Sequence, residues 1–163
     1  MISKAEVLEM VKQRGVADAL DLKSRAPSMD QTAIIDEEDK IPEFQEKDYS
    51  SWAAGSPVKS NGQVWLLLTP YDATVYTGLP QDLRTLWGLA HTKNPLKAKA
   101  WVDALGTSGM YYKDECYKDE NGVVHRLLVD STVYTAEQVP NQWETVVFES
   151  EDQTEETDPE VAE

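Results

Sequence analysis

The residues of this chain best suited to touching a ligand are its aromatics, which make up 9% of it and are mostly Tyr and Trp. A pyranose presents an apolar face of C–H groups that packs on a flat ring while its hydroxyls find polar side chains at the rim. Tyr71, Tyr76, Tyr112 and Tyr134 fall outside the expected core positions or at strand ends, and Trp52 and Trp101 fall in connecting segments. Asp72 and Asp130 stand where they can accept from sugar hydroxyls. The candidate ligand contacts are therefore Tyr71, Tyr76, Trp52, Asp72, Tyr112 and Tyr134, with a carbohydrate as the ligand that the resemblance named below implies; the competing role for the rings is packing between the two β modules, and for the acids simple solvation. Catalytic chemistry finds less support. His91 and His125 have no Cys or His at ligand spacing, and Cys116 stands alone, so neither a typical zinc site nor a paired thiol is expected. No G-x-S-x-G, P-loop or dinucleotide fingerprint occurs, and nothing in the spacing of the thirty acids selects a glycosidase pair. The expectation is a non-enzyme with no catalytic residue, no metal and no cofactor.

Two stretches that repeat each other must position these side chains. Asn61-Gly62, Val64, Trp65 and Leu67 correspond to Asn121-Gly122, Val124, His125 and Leu127, all sixty residues on, and Tyr76, Pro80 and Trp87 correspond to Tyr134, Pro140 and Trp143. Asn-Gly between extended runs signals a type I′ hairpin, because both central residues accept positive φ. Val58 and Cys116 then lie on incoming strands, and Val64–Leu68 and Val123–Val129 on outgoing ones. Sheets this small have almost no interior. A closing indole, Trp87 in one copy and Trp143 in the other, is placed across each sheet face as its core, with a similar packing role for Trp65 and His125. Cys116 takes the place of Val58, as a small buried hydrophobe.

The rest of the chain divides by composition. Ser3-Lys4-Ala5-Glu6 is a capping box followed by Val7, Leu8 and Val11, which predicts a helix from about Lys4 to Arg14. Gly15 offers a stop, and Val16 to Lys23 is either a second short helix or the same one continued after a kink. Helices so short must pack on the chain or on copies of themselves. Two prolines and an acidic cluster predict an extended linker over residues 26–46. The full division is a helical segment at 1–25, that linker, a first small β module at 47–89, a connector at 90–106, a second module at 107–147 and an acidic, disordered tail at 148–163. The fold class expected is mainly β with an N-terminal helical segment, built on two tandem antiparallel modules of about three strands each.

Charge limits the partners. The net charge is −15 and the pI about 4.4, with eight acids and no base in residues 149–163. Such a chain repels phosphate backbones and anionic headgroups, so neither nucleic acid nor membrane is an expected partner. The first residues lack the basic patch and apolar core of a signal peptide, and the longest apolar run, Val64 to Leu68, is far short of a ~20-residue membrane span.

The order Gly, Val, then Asn-Gly-x-Val-aromatic, then a Pro and a closing Trp resembles the small three-stranded chitin-binding modules attached to bacterial chitinases. Over about residues 4–147 the chain is also similar to proteins encoded near the tail and host-lysis genes of tailed phages and prophages of gut bacteria. That likeness rests on Ala33-Ile34-Ile35-Asp36-Glu37-Glu38, Leu86-Trp87, His91-Thr92-Lys93-Asn94-Pro95, Lys97-Ala98-Lys99, Gly106-Thr107-Ser108-Gly109 and Lys113-Asp114-Glu115-Cys116. The resemblance implies a carbohydrate-binding, tail-associated protein, found in the virion or in the host cytoplasm before assembly. Its implied partners are a bacterial cell-surface or chitin-like glycan, other phage structural proteins, and further copies of itself through the N-terminal helix. The alternative it leaves is a structural or assembly protein that binds another phage protein and no sugar. In the chitin-binding modules exposed aromatics often follow the outgoing strand; the first copy has Tyr71 there and the second Ser131, which singles out Tyr71 as the leading sugar contact.

Overall fold

Ser3 caps the first helix as its sequence requires: the Ser3 hydroxyl accepts from Glu6 N at 3.1 Å while Ser3 N donates to Glu6 Oε1 at 3.2 Å. In the computed structural model, which describes residues 3–148, this helix, α1, runs unbroken over Lys4–Arg25. Gly15 does not stop it. A glycine inside a helix costs about 1 kcal/mol relative to alanine, which weakens the helix without ending it; α1 ends instead where Pro27 follows Ala26. Only Leu22 of α1 is buried, while Val7, Leu8, Met10 and Val11 are exposed.

Residues 26–46, expected to be an extended linker, are largely folded. Asp30 accepts from Ala33 N at 2.8 Å and starts a second helix, α2, at Gln31–Asp36. Ile34 and Ile35 of α2 join Leu22, Ala26, Ile41, Val64 and Ala90 in a buried cluster that fastens the helical segment to the first sheet. The cap and the apolar pair outweigh the flanking prolines, which only bound the helix. Arg25 ties the two helices together, its Nη2 lying 2.9 Å from both Asp21 Oδ2 and Glu37 Oε1.

The remainder is mainly β and mostly antiparallel. Strands β1 (Pro57–Ser60), β2 (Gln63–Leu67) and β3 (Trp87–Leu89) form a three-stranded sheet in that order. Asn61 and Gly62 both have positive φ, 55° and 74°, as a two-residue type I′ hairpin needs. A four-stranded sheet follows, from β4 (Lys99–Ala100), β6 (Cys116–Lys118), β7 (Val124–Leu127) and β9 (Trp143–Val146), with β4 parallel to β6. The intervening β5 (Tyr111–Tyr112) pairs with β8 (Ser131–Thr132). The segment expected to be a mere connector, 90–106, thus supplies a sheet strand and the buried Ala98.

The second hairpin differs from its expected form. Of Asn121-Gly122 only Gly122 has positive φ, 83°. Asp119 Oδ1 accepts from Asn121 N and Val123 N, both at 2.9 Å, Gly122 N donates to Asp119 O, and Asp119 N to Val123 O. This is a turn closed by a left-handed glycine, one residue longer than the two-residue form.

Both closing indoles are buried: Trp87, 0% exposed, among Tyr49, Tyr71 and Leu67, and Trp143, 5% exposed, among Tyr111, Tyr117 and Leu127. Trp65 is buried as well, Cys116 is the small buried side chain expected, and His125 is half-buried. Burial pushes the Cys116 thiol above its ordinary pKa. Among the described residues no helix is long and apolar enough to cross a membrane. The expected tail at 148–163 lies, from residue 149 on, outside the described residues.

Two predictions follow from this packing. Trp87→Ala and Trp143→Ala should each lower unfolding free energy in denaturant melts by ~3–5 kcal/mol, the range for deleting a buried large aromatic. The hydrogen bonds from Arg25 and Lys40 hold the Glu37 carboxyl down to about 2. A depressed carboxylate stabilises fully above its unfolded pKa and loses that contribution as pH falls through the folded one, so the wild type should lose more stability than Glu37→Gln between the ordinary carboxylate range and pH 2, in paired acid melts.

Candidate functional site

The leading member of the expected aromatic platform is not on the surface. Tyr71, the leading candidate, is only 7% exposed. Its hydroxyl accepts from Trp87 Nε1 at 2.8 Å and its ring lies 6.2 Å from that of Tyr49. The reason is that the chain folds back after β2: Tyr49 N donates to Tyr71 O, and Ala73 N to Lys47 O, which turns Tyr71 inward over the sheet. Tyr71 is a core residue. Trp52 is half-buried, edge-on to Tyr49 at 4.6 Å, and the Lys23 and Lys47 ammonium groups lie over its ring at 4.1 and 4.9 Å. Cations occupy the face that a sugar would need. Asp72 Oδ1 accepts from Thr74 N at 3.0 Å and Thr74 Oγ1 at 2.6 Å, closing its own loop. Tyr76, Tyr112 and Tyr134 are exposed, by 65%, 50% and 52%; Tyr112 stands on β5 and Tyr134 two residues beyond its partner strand β8.

The aromatic surface instead gathers in a groove of about 560 Å³ beside the β6–β7 hairpin, lined by Trp101, Tyr117, Asp119, Asn121, His125 and Glu137 among others. Tyr117 and His125 are direct cross-strand partners with rings 5.0 Å apart, as expected for facing side chains of an antiparallel pair. Trp101 stacks on Tyr111 at 5.0 Å and meets Tyr117 edge-on at 4.9 Å, with its Nε1 donating to Asp103 Oδ1 at 2.7 Å. Trp101 and Tyr117 pack on the core around Trp143; Tyr117 is itself only 3% exposed, so the half-buried Trp101 and His125 supply the ring surface turned to the groove.

The polar groups of the groove are held in place. His125 Nε2 lies 2.8 Å from Asp119 Oδ2. The carboxylate can only accept, so Nε2 carries the proton. Bonds from His125, Val123 and Asn121 hold the Asp119 carboxyl below the usual carboxylate range, the His125 bond contributing most. Tyr117 Oη accepts from Ala136 N at 3.0 Å, and burial raises its pKa. Asn121, Glu137 and Thr135 complete a rim of amide, carboxylate and hydroxyl around a ring-floored depression. Such a surface suits a neutral, hydroxyl-rich ligand with an apolar face.

Compared with known proteins, the chain matches no family model and no curated protein.

Sequence reasoning placed Trp101 in a connector and His125 in the packing, and did not single out Tyr117 or Asp119. A signal was present: Tyr117 and His125 are symmetric about Asn121, and a three-residue turn sets them opposite one another. The two-residue turn would have paired Tyr117 with Arg126 and sent His125 to the other face.

The burial of Tyr71 gives a direct check. Tyr71→Ala should destabilise by ~3–5 kcal/mol as a core aromatic, and Tyr71→Phe by ~1–3 kcal/mol because it strands the Trp87 N–H. A chemical melt of the two variants decides between a core and a surface role.

Proposed function

We propose that this chain is a non-catalytic carbohydrate-binding protein of a phage tail or host-adsorption apparatus, and that its glycan contact is the groove beside the β6–β7 hairpin, with Trp101 and His125 as its ring contacts and the buried Tyr117 as their support. The observation that carries the reading is the ring-floored groove with its rim of Asp119, Asn121, Thr135 and Glu137. The net charge of −15 agrees with a neutral sugar better than with an anionic polymer.

We further read the two sheets as copies of one small module. In support, Leu67 pairs with Trp87 as Leu127 pairs with Trp143. Leu67 N donates to Ser56 O as Leu127 N does to Glu115 O, and Leu68 N to Leu86 O as Leu128 N does to Gln142 O. A 3-10 turn starting at Pro80 or Pro140 precedes each closing tryptophan. Module affinities for sugar are weak, and several copies on one particle raise them by multivalency.

The alternative is a structural protein that binds another phage protein or itself. The exposed Val7, Leu8, Met10 and Val11 on α1 favour it, since an apolar helix surface of this kind suits association between copies.

Retention of purified protein on host cell wall, chitin and arrayed glycans separates the two readings. Binding should fall several-fold in Trp101→Ala, as expected for an aromatic contact worth ~0.5–1.5 kcal/mol, and also in the rim variants Asn121→Ala and Glu137→Ala, with melting unchanged in the rim variants. No retention at millimolar sensitivity removes the sugar reading and leaves the structural one.

A further inference from the structure

One side of α1 docks on the rest of the chain, and that side runs on well beyond the docking point. Residues 3–17 are exposed throughout; burial begins at the half-buried Asp18 and is complete at Leu22. Residues three and four apart share a helix face, so Val7, Val11, Gly15, Asp18 and Leu22 form one stripe, with Leu8 beside it. Its free part is apolar and open, Val7, Leu8 and Val11 being 46%, 62% and 64% exposed. A Cβ at Gly15 would meet nothing within 4 Å, so no contact among the described residues accounts for a helix-weakening glycine at that point.

The stripe is complementary to itself in reverse. Lys4 and Asp18 lie on it seven residues to either side of Val11, and Val7 and Gly15 lie four to either side. Turning a second copy about a two-fold axis at Val11 therefore sets Lys4 against Asp18 of the second copy, twice over. It also seats Val7 against Gly15 of the second copy, where no Cβ stands in the way, and brings Val11 onto Val11. A patch that matches itself in this manner is what an isologous contact requires. A parallel pair would instead put Lys4 on Lys4 and Asp18 on Asp18, and would hold two chains of net charge −15 side by side. The antiparallel overlap, fifteen residues from Lys4 to Asp18, uses the whole free arm and ends where burial begins. It keeps the sheets of the two copies at opposite ends of a helix pair about 22 Å long, well beyond the ~8 Å Debye length at physiological salt.

We propose that α1 is a dimerisation helix, pairing antiparallel with α1 of a second copy about a two-fold axis at Val11. The apolar contact is small, Val7, Leu8 and Val11 from each copy, so the dimer is weak, with a Kd on the order of 0.1 mM. The surface is separate from the sugar groove, which lies on the four-stranded sheet; dimerisation places two such grooves on one particle, and its presence or absence is read without any glycan.

Sedimentation of the full chain from about 10 μM to about 1 mM, a range that brackets that Kd, should show the mass rising towards two chains, with helical ellipticity rising alongside as the arms are covered. Val11→Lys, which sets two ammonium groups on the axis, should abolish both rises and leave the melting of the sheets unchanged, because Val11 belongs to none of the buried clusters. Lys4→Glu should weaken the dimer several-fold, and Lys4→Glu combined with Asp18→Lys should restore it. Under mild oxidation Val11→Cys should cross-link to itself, whereas Val7→Cys and Gly15→Cys should cross-link only when mixed; the wild type, with Cys116 buried, is the silent control. A mass of one chain at every concentration, an undiminished dimer in Val11→Lys, or self-cross-linking of Val7→Cys as efficient as that of Val11→Cys overturns the proposal. Should Val11→Lys lose its helix outright, the cross-linking pattern decides.

Discussion

Each of the two larger sheets of this protein depends on one indole. Strands of two to five residues bury too little aliphatic surface to exclude water, and the two faces are closed by Trp87 and Trp143 instead. Around Trp87 gather Phe44, Tyr49 and Tyr71, and around Trp143 gather Trp101, Tyr111 and Tyr117, mostly in edge-to-face contact. Even the ring nitrogens are used, Trp87 Nε1 on the Tyr71 hydroxyl and Trp143 Nε1 on Tyr134 O. Aromatics spent on closing a core are not free to face a ligand. The groove accordingly forms where the second cluster reaches the surface, at Trp101, which packs on Trp143 and stays half-buried.

This explains which parts of the molecule could be read from sequence. The closing tryptophans, the first hairpin and the capped start of α1 were legible because each depends on chemistry within a few residues. Tyr71 was not, since its burial follows from pairing with Tyr49, twenty-two residues earlier. The helix at Gln31–Asp36 had a local signal in Asp30 and Ile34-Ile35 that its flanking prolines masked. The second hairpin shows how narrow the margin is. The same Asn-Gly pair appears in both copies, but the Asp119 side chain claims the amides of Asn121 and Val123, adds one residue to the turn, and so moves His125 onto the face of Tyr117.

Two cavities of different character lie at the two ends of one stack of rings. His91, Tyr111 and Trp101 stack as three successive rings, with His91 lining a cavity of about 310 Å³ and Trp101 the groove. Tyr111, buried between them, has no polar neighbour that would favour its ionised form, and burial drives its pKa far upward. The central ring acts as an inert spacer whose packing fixes the distance between a polar cavity and an aromatic one.

Leu22 and Ala26 fasten α1 at one end only. Ahead of Val16, which lines a small cleft with Trp52, about twelve residues extend some ~18 Å as a helix at 1.5 Å per residue. Three isolated turns interrupted by Gly15 are marginal in water. The ellipticity of this arm is then governed by its surroundings rather than by the sheets: it should fade gradually on warming a dilute solution, well before the cooperative transition of the aromatic cores, and recover wherever a neighbouring surface covers it.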